Sequence, residues 1–244
     1  MANFTTAQTA QGARAAIDEG LRAHMNKVYG LMSLGTLLTF AVAWAVGTTP
    51  AFFSMLRDPM TGSMTILGWI TMFAPLGMVF MFGSAINRLS MAGAQLFFYV
   101  FAALMGLSMA WIFVAFTGTS IAQVFLVTSI AFAGLSLVGY TTKKDLSGMG
   151  TFLIMGVIGL IVASLMNLWF QSGAMAFAIN ALGVLIFAGL TAYDTQQIKN
   201  TYVQMAYAGN EEWLGKAAIM GALSLYLDFI NMFMMLLQLF GNRE

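Results

Sequence analysis

Apolar residues fill seven stretches of the chain, at 28–46, 64–86, 94–116, 121–140, 150–170, 176–198 and about 217–240, parted by short polar or turn-forming breaks. A hydrocarbon core about 30 Å thick takes about 20 helical residues at 1.5 Å each, so each stretch reads as one membrane crossing. The breaks include Gly47-Thr48-Thr49-Pro50, Arg57-Asp58-Pro59, Asn87-Arg88, Thr117-Gly118-Thr119, Lys143-Lys144-Asp145, Gln171-Ser172-Gly173 and the run from Lys199 to Lys216. Connections of this length force antiparallel neighbours in a single bundle. The organisation predicted is all-α and polytopic: a segment over 1–27, a seven-helix domain over 28–240 and a short tail at 241–244.

Ahead of the first crossing, Ile17, Leu21, Met25 and Val28 recur at helical spacing while Arg14, Glu19, Arg22 and Lys27 point elsewhere. That pattern predicts a short amphipathic helix lying on the membrane surface rather than a cleaved leader. Small residues that let helix backbones approach in lipid form a stripe at Ala102, Gly106 and Ala110, with a shorter one at Gly159 and Ala163. Pro75, midway along the second crossing, opposes a straight helix there.

Composition fixes the solvent. Of 244 residues 60% are hydrophobic and 8% charged, against roughly 25% charged in soluble domains. The ten Lys and Arg are scattered and the net charge is +1, which excludes a nucleic-acid partner, since phosphate binding needs clustered bases. With no cysteine there is neither disulfide framework nor thiolate site. The single histidine, His24, is placed at the interface with no second imidazole to join it. Eight bases (Arg14, Arg22, Lys27, Arg88, Lys143, Lys144, Lys199, Lys216) fall on one side of the alternating loops, and only Arg57 and Arg243 on the other. This bias puts the N-terminus in the cytoplasm.

The candidate chemistry lies in two acids. Asp194 sits near the end of the sixth stretch and Asp228 inside the seventh, and no Lys or Arg lies within any of the seven. An ionised group at the centre of a membrane helix costs on the order of 3 kcal/mol, so such a residue needs a partner or a use. A close pair of carboxylates in oil shares one proton or holds a cation between its oxygens. Thr191, Asp194 and Gln197 share one face of the sixth helix, and Ser224, Asp228 and Asn231 one face of the last. Facing each other, they would offer a hard cation a thin oxygen shell, suited to passing an ion rather than storing it. Asp194 and Asp228 are thus the candidate proton-sharing and metal-contacting pair, with Thr191, Gln197, Ser224 and Asn231 in support. The competing reading makes each Asp a protonated donor that fastens helices together through Asn and Ser. Depth is an obstacle, because counted from Lys199 and Lys216 the acids differ by about 10 Å. The mismatch is removed if residues 211–220 lie along the interface and the last crossing begins near Gly221. Enzyme motifs are missing: no His/Glu metal pattern, no nucleophile with a base, no Gly-rich phosphate loop.

Four blocks carry a further signal: Ser120-Ile-Ala-Gln-Val-Phe125, Gly139-Tyr-Thr-Thr-Lys-Lys-Asp-Leu146, Phe187-Ala-Gly-Leu-Thr-Ala-Tyr-Asp-Thr-Gln196 and Leu223-Ser-Leu-Tyr-Leu-Asp-Phe-Ile-Asn231. In them, and from about Asn26 to Gly241, the chain resembles the Bax inhibitor-1-like (transmembrane Bax inhibitor motif) family. The resemblance implies two three-helix groups around a central seventh helix, acting as a pH-sensitive calcium leak with Ca²⁺ as the permeant ion and no tightly bound cofactor. It also implies that an aspartate dyad, matching Asp194 and Asp228, controls passage, and that the protein lies in a bacterial inner membrane. In some members a basic residue of the second helix latches onto the dyad; the second stretch here has none, and Arg57 falls on the opposite side. Bacterial relatives are linked with the membrane-anchored ATP-dependent protease, which implies a regulatory partner role as the alternative.

Overall fold

The computed structural model describes residues 2–206 and 211–243, with side chains described over 17–206 and 212–243. Its elements are α1 (Ala2–Gly47), α2 (Pro50–Leu56), α3 (Ile66–Arg88), α4 (Met91–Met109), α5 (Ile112–Ala115), α6 (Gly118–Thr141), α7 (Ser147–Phe170), α8 (Gly173–Ala206) and α9 (Glu211–Phe240). Among the described residues no strand forms beyond the isolated bridges Arg57–Met64 and Phe116–Arg243. Seven segments are long and apolar enough to span a membrane: Ile17–Gly47, Ile66–Arg88, Met91–Ala115, Gly118–Thr141, Ser147–Phe170, Gly173–Ala206 and Glu212–Phe240. The protein is an all-α polytopic membrane protein.

Local chemistry starts several of these helices. The hydroxyls of Thr65, Ser90 and Thr117 accept the N–H of Gly68, Gly93 and Ser120 at 3.0, 3.2 and 3.3 Å respectively, satisfying donors that a helix start leaves free. Pro50 opens α2 where its missing N–H costs nothing. Pro75 lies inside α3, which is uninterrupted from Ile66 to Arg88. The third apolar stretch divides into α4 and α5, where Ala110 N–H reaches Leu107 O and Phe113 N–H reaches Ala110 O in a tightened turn.

The last helix is the axis. α9 packs against α1, α4, α6 and α8, whereas α3 rests on α4 and α2, and α7 rests on α8. Two thirds (67%) of its most apolar window is buried, against 17–39% for the other six spans. Two three-helix groups, α1 with α3 and α4, and α6 with α7 and α8, thus enclose α9. A three-way junction ties the first group to it: Tyr226 Oη meets Thr39 Oγ1 at 2.6 Å, and Thr39 in turn reaches Ala102 O at 2.8 Å. The small-residue stripe forms this α1–α4 contact, with Gly106 against Thr39 and Val42, and Ala110 against Gly47.

Three expectations need correction. The stretch ending at residue 27 is not a separate surface helix: α1 is continuous, and Leu21, Met25 and Val28 are buried in the bundle because their stripe finds α8 and α9 rather than headgroups. Arg14 falls outside the described side chains. Gly159 faces open space, and α7 instead approaches α8 through Gly150, against Tyr193, and Gly156, against Ile186. Nor does α9 begin at Gly221; it is one helix from Glu211.

The ends of the bundle separate the bases as expected. Lys27 lies 3.9 Å from Met91 Sδ, and Lys199 Nζ donates to Tyr140 O at 2.8 Å, so the Lys27, Arg88, Lys143, Lys144, Lys199 and Lys216 neighbourhoods share one end. Arg57 and Arg243 lie at the other, where Thr117 N–H bonds Asn242 O at 3.0 Å.

Candidate functional site

Helix α8 runs on to Ala206 rather than stopping at residue 198, and this places the acids. The chain from Lys199 to Ala206 is helical because α9 continues beside it from Glu211, giving each an apolar partner. Asp194 therefore lies twelve residues, about 18 Å, from the end of its helix, deep in the bundle. The antiparallel register is fixed by two glycine contacts, Gly221 against Ile198 and Gly183 against Met235. It sets Thr191 level with Asp228 and separates the two acids by about three residues, roughly 4.5 Å, along the helix axes. The depth mismatch disappears because α8 is longer than the hydropathy indicates, not because α9 is shorter.

A cavity of about 250 Å³ opens between α1, α8 and α9, with Ile86 of α3 also in its wall. His24 and Lys216 line it together with Gln197, Gly221, Ser224 and Asp194. The His24 ring sits against Tyr202, with centroids 4.9 Å apart, so it lies about 12 Å along α8 from the level of Asp194. By the same register Lys216 is level with residue 203. The two bases stand at the mouth and Asp194 with Ser224 at the floor. Lys216 is held by Glu212 at 3.0 Å. His24, expected at the interface, is 7% exposed; the continuation of α1 into the bundle carries it inside.

Asp228 sits behind the floor, one turn beyond Ser224, and is 4% exposed. Its Oδ2 is buried with no hydrogen-bond partner, and it lies within Coulomb range of Asp194. Among the described residues the one ion pair is Lys216–Glu212, so neither acid has a salt-bridge partner. Past Asp228, α9 continues as Phe229, Ile230, Met232, Phe233 and Leu237, all buried, and the cavity stops at the acids. Asp194 and Asp228 thus lie near enough across the α8–α9 contact to act on each other's charge.

The supporting residues divide. Gln197 and Ser224 line the cavity, and Gln197 Nε2 donates to Tyr193 Oη at 3.0 Å. Thr191 is wholly buried and gives its hydroxyl to Phe187 O at 2.8 Å, and Asn231 donates to Leu227 O at 2.8 Å. Both donors are spent on their own helices, outside the cavity lining. Arg57 lines a different cavity, beneath α2 at the opposite end.

One residue was missed. Gln196 donates to Lys144 O and accepts from Leu146 N–H, both at 2.8 Å, and so clamps the α6–α7 turn to α8 two residues from Asp194. Beside it, Gly139 of α6 lies against the backbone of Ala192. A polar side chain inside the sixth apolar stretch is the signal for Gln196, but its partners, Lys144 O and Leu146 N–H, lie about 50 residues away in the chain and only the packing of α8 on the α6–α7 turn reveals them.

The chain as a whole is similar to known proteins. The model of the family described as inhibitor of apoptosis-promoting Bax1 matches residues 21–244. Among similar proteins, inner membrane protein YbhL of Escherichia coli (strain K12) is 44% identical over 225 residues, 92% of this chain and 94% of its own. RP147 of Rickettsia prowazekii is 42% identical over the whole of both chains, and a membrane protein of Streptococcus pyogenes serotype M1 is 34% identical over 93% of this chain and 96% of its own.

Proposed function

The chain belongs to the Bax inhibitor-1 family, and from that premise we propose that it is a cation leak of the bacterial inner membrane, with Ca²⁺ as the passing ion and the Asp194/Asp228 pair as a proton-sensitive gate. The observation that carries this reading is the buried, unpartnered Oδ2 of Asp228, just behind the floor that Asp194 forms in a cavity open toward the basic end of the bundle. An acid used as structural glue would spend its oxygens on the Ser and Asn of its own face. Asn231 bonds its own helix instead, and Ser224 faces the cavity.

The chemistry follows from two occupants competing for the same oxygens. With one proton between them the carboxylates hold each other's charge in check and offer a cation little. When that proton leaves, two negative groups in a low dielectric recruit a counterion, and a hard divalent cation supplies it. Two carboxylates fall short of the six to eight oxygens that Ca²⁺ takes, so water in the cavity, Gln197 and Ser224 complete a shell weak enough to release the ion. His24 and Lys216, at the mouth on α1 and α9, are the other titratable groups facing the cavity. In this reading the buried Phe229, Ile230, Met232, Phe233 and Leu237 close the path beyond the acids, and passage needs α9 to move relative to its neighbours. The basic end, with the N-terminus of α1, faces the cytoplasm in this reading.

The test is Ca²⁺ flux into vesicles containing only this protein, measured at several pH values for wild type, Asp194→Asn and Asp228→Asn. Both variants lose the pH dependence that wild type shows. Unchanged profiles in both overturn the gate. Vesicles that stay silent, from protein that co-purifies with the membrane-anchored ATP-dependent protease, would make the chain a regulator instead of a leak.

A further inference from the structure

A second, larger cavity lies between α1 and α6, which flank α9 and meet at Phe40 and Phe125, ring centroids 5.7 Å apart. It holds about 700 Å³, within the 300–1,000 Å³ usual for a site that takes an organic ligand. Its lining runs on α1 from Arg22 to Leu37 and on α6 from Tyr140 back to Phe125, with Phe229 of α9 at its back. Fifteen residues of helix make it about 22 Å long, reaching from the basic end well into the hydrocarbon.

Its chemistry is graded along that length. At the basic end stands Arg22, exposed and, among the described residues, in no ion pair. One turn below Tyr140 on α6, Ser136 lines the cavity; it is 4% exposed, and its Oγ is buried with no hydrogen-bond partner. A buried hydroxyl left unmet is destabilising, and an acceptor in the groove beside Ser136 would meet it. Further in, the wall is apolar: Phe132, Phe125 and Phe229, with the ring centroids of Phe229 at 5.4 Å from Phe125 and 5.5 Å from Phe132.

We propose that this groove is a binding site for an anionic phospholipid, with its phosphate at Arg22, an ester oxygen at Ser136 Oγ and one acyl chain along Phe132 and Phe125. Cation, then hydrogen-bond donor, then aromatic wall is the order in which such a lipid presents anion, acceptor and chain along a membrane normal. A basic side chain at the membrane surface gains about 1 kcal/mol from anionic lipid, close to fivefold in occupancy. The site is separate from the acid pair and does not depend on the leak reading.

The experiment uses the full chain in vesicles with phosphatidylglycerol carrying a photoactivatable group midway along one acyl chain, and maps the labelled peptides. Labelling concentrates on 25–37 and 125–137. Ala133→Trp, at an exposed position on the groove wall, reduces it at least tenfold. Arg22→Gln, which leaves the wall intact, reduces it about fivefold, while labelling by the matching phosphatidylcholine probe is low in wild type and unchanged in the variant. Labelling spread evenly over the lipid faces of α3 and α7 means annular lipid only and overturns the site. So does equal labelling by the two headgroups, or full competition by a free fatty acid. The chain has no native cysteine, so disulfide dimers of Ala133→Cys in unlabelled vesicles would assign the groove to a second copy and likewise overturn it.

Discussion

The side-chain amide of Gln196 donates to the carbonyl of Lys144 at 2.8 Å and ties the α6–α7 turn to α8. Its oxygen takes the Leu146 N–H at the same distance, and Lys199, one turn on, caps α6 through Tyr140 O. A short turn at a membrane surface is thereby held to the helix that carries Asp194.

Gln196→Ala removes both bonds and leaves two backbone groups to water or to each other, at a cost of about 1–3 kcal/mol. Thermal unfolding of the purified protein should show the loss, and limited proteolysis should cut the 142–146 turn faster. Gln196→Glu, which keeps the acceptor for Leu146 and loses the donor to Lys144, should fall between the two.

Gly139 has the backbone of Ala192 where a side chain would go. Gly139→Val forces α6 off α8 two residues from Asp194, and overpacking of this kind costs about 1–3 kcal/mol. Gly159→Val, on the open face of α7, should leave the unfolding temperature unchanged. Equal behaviour of the two variants would contradict the packing described.

Tyr226 is wholly buried and its hydroxyl meets Thr39 at 2.6 Å. Tyr226→Phe keeps the ring against Phe98 and Phe101 and loses one hydrogen bond, about 1 kcal/mol, with Thr39 still bonded to Ala102. Tyr226→Ala opens a void at the crossing of α1, α4 and α9 and should cost about 3–5 kcal/mol, on the scale of other buried aromatics. The ratio of the two losses separates packing from hydrogen bonding at the junction.

Asp58 accepts the N–H groups of Met60 at 2.7 Å and Thr61 at 3.3 Å in the α2–α3 loop. These two donors hold its carboxyl below the ordinary aspartate range. A depressed folded-state value means that the contribution to the turn is present above the unfolded pKa and is lost as pH falls through the folded one. Amide exchange at Met60 and Thr61 should therefore gain relative protection from acid to neutral pH in wild type. In Asp58→Asn, which keeps an acceptor oxygen but cannot titrate, that pH dependence should vanish.

The sequence by itself determined that this chain crosses a membrane seven times, which loops gather the bases, and which two acids lack a resident counterion. Each of these rests on a local free energy, the transfer of apolar or charged groups into hydrocarbon, and so can be read residue by residue. Tertiary structure alone decided the rest. That α8 continues to Ala206, that His24 stands inside the cavity mouth, and that Gly150 and Gly156 rather than Gly159 carry the α7 contact all depend on which face another helix happens to cover. A helix end in water and a helix end against a neighbour have the same hydropathy, and they differ only in whether a partner supplies the contacts that keep the next turn wound.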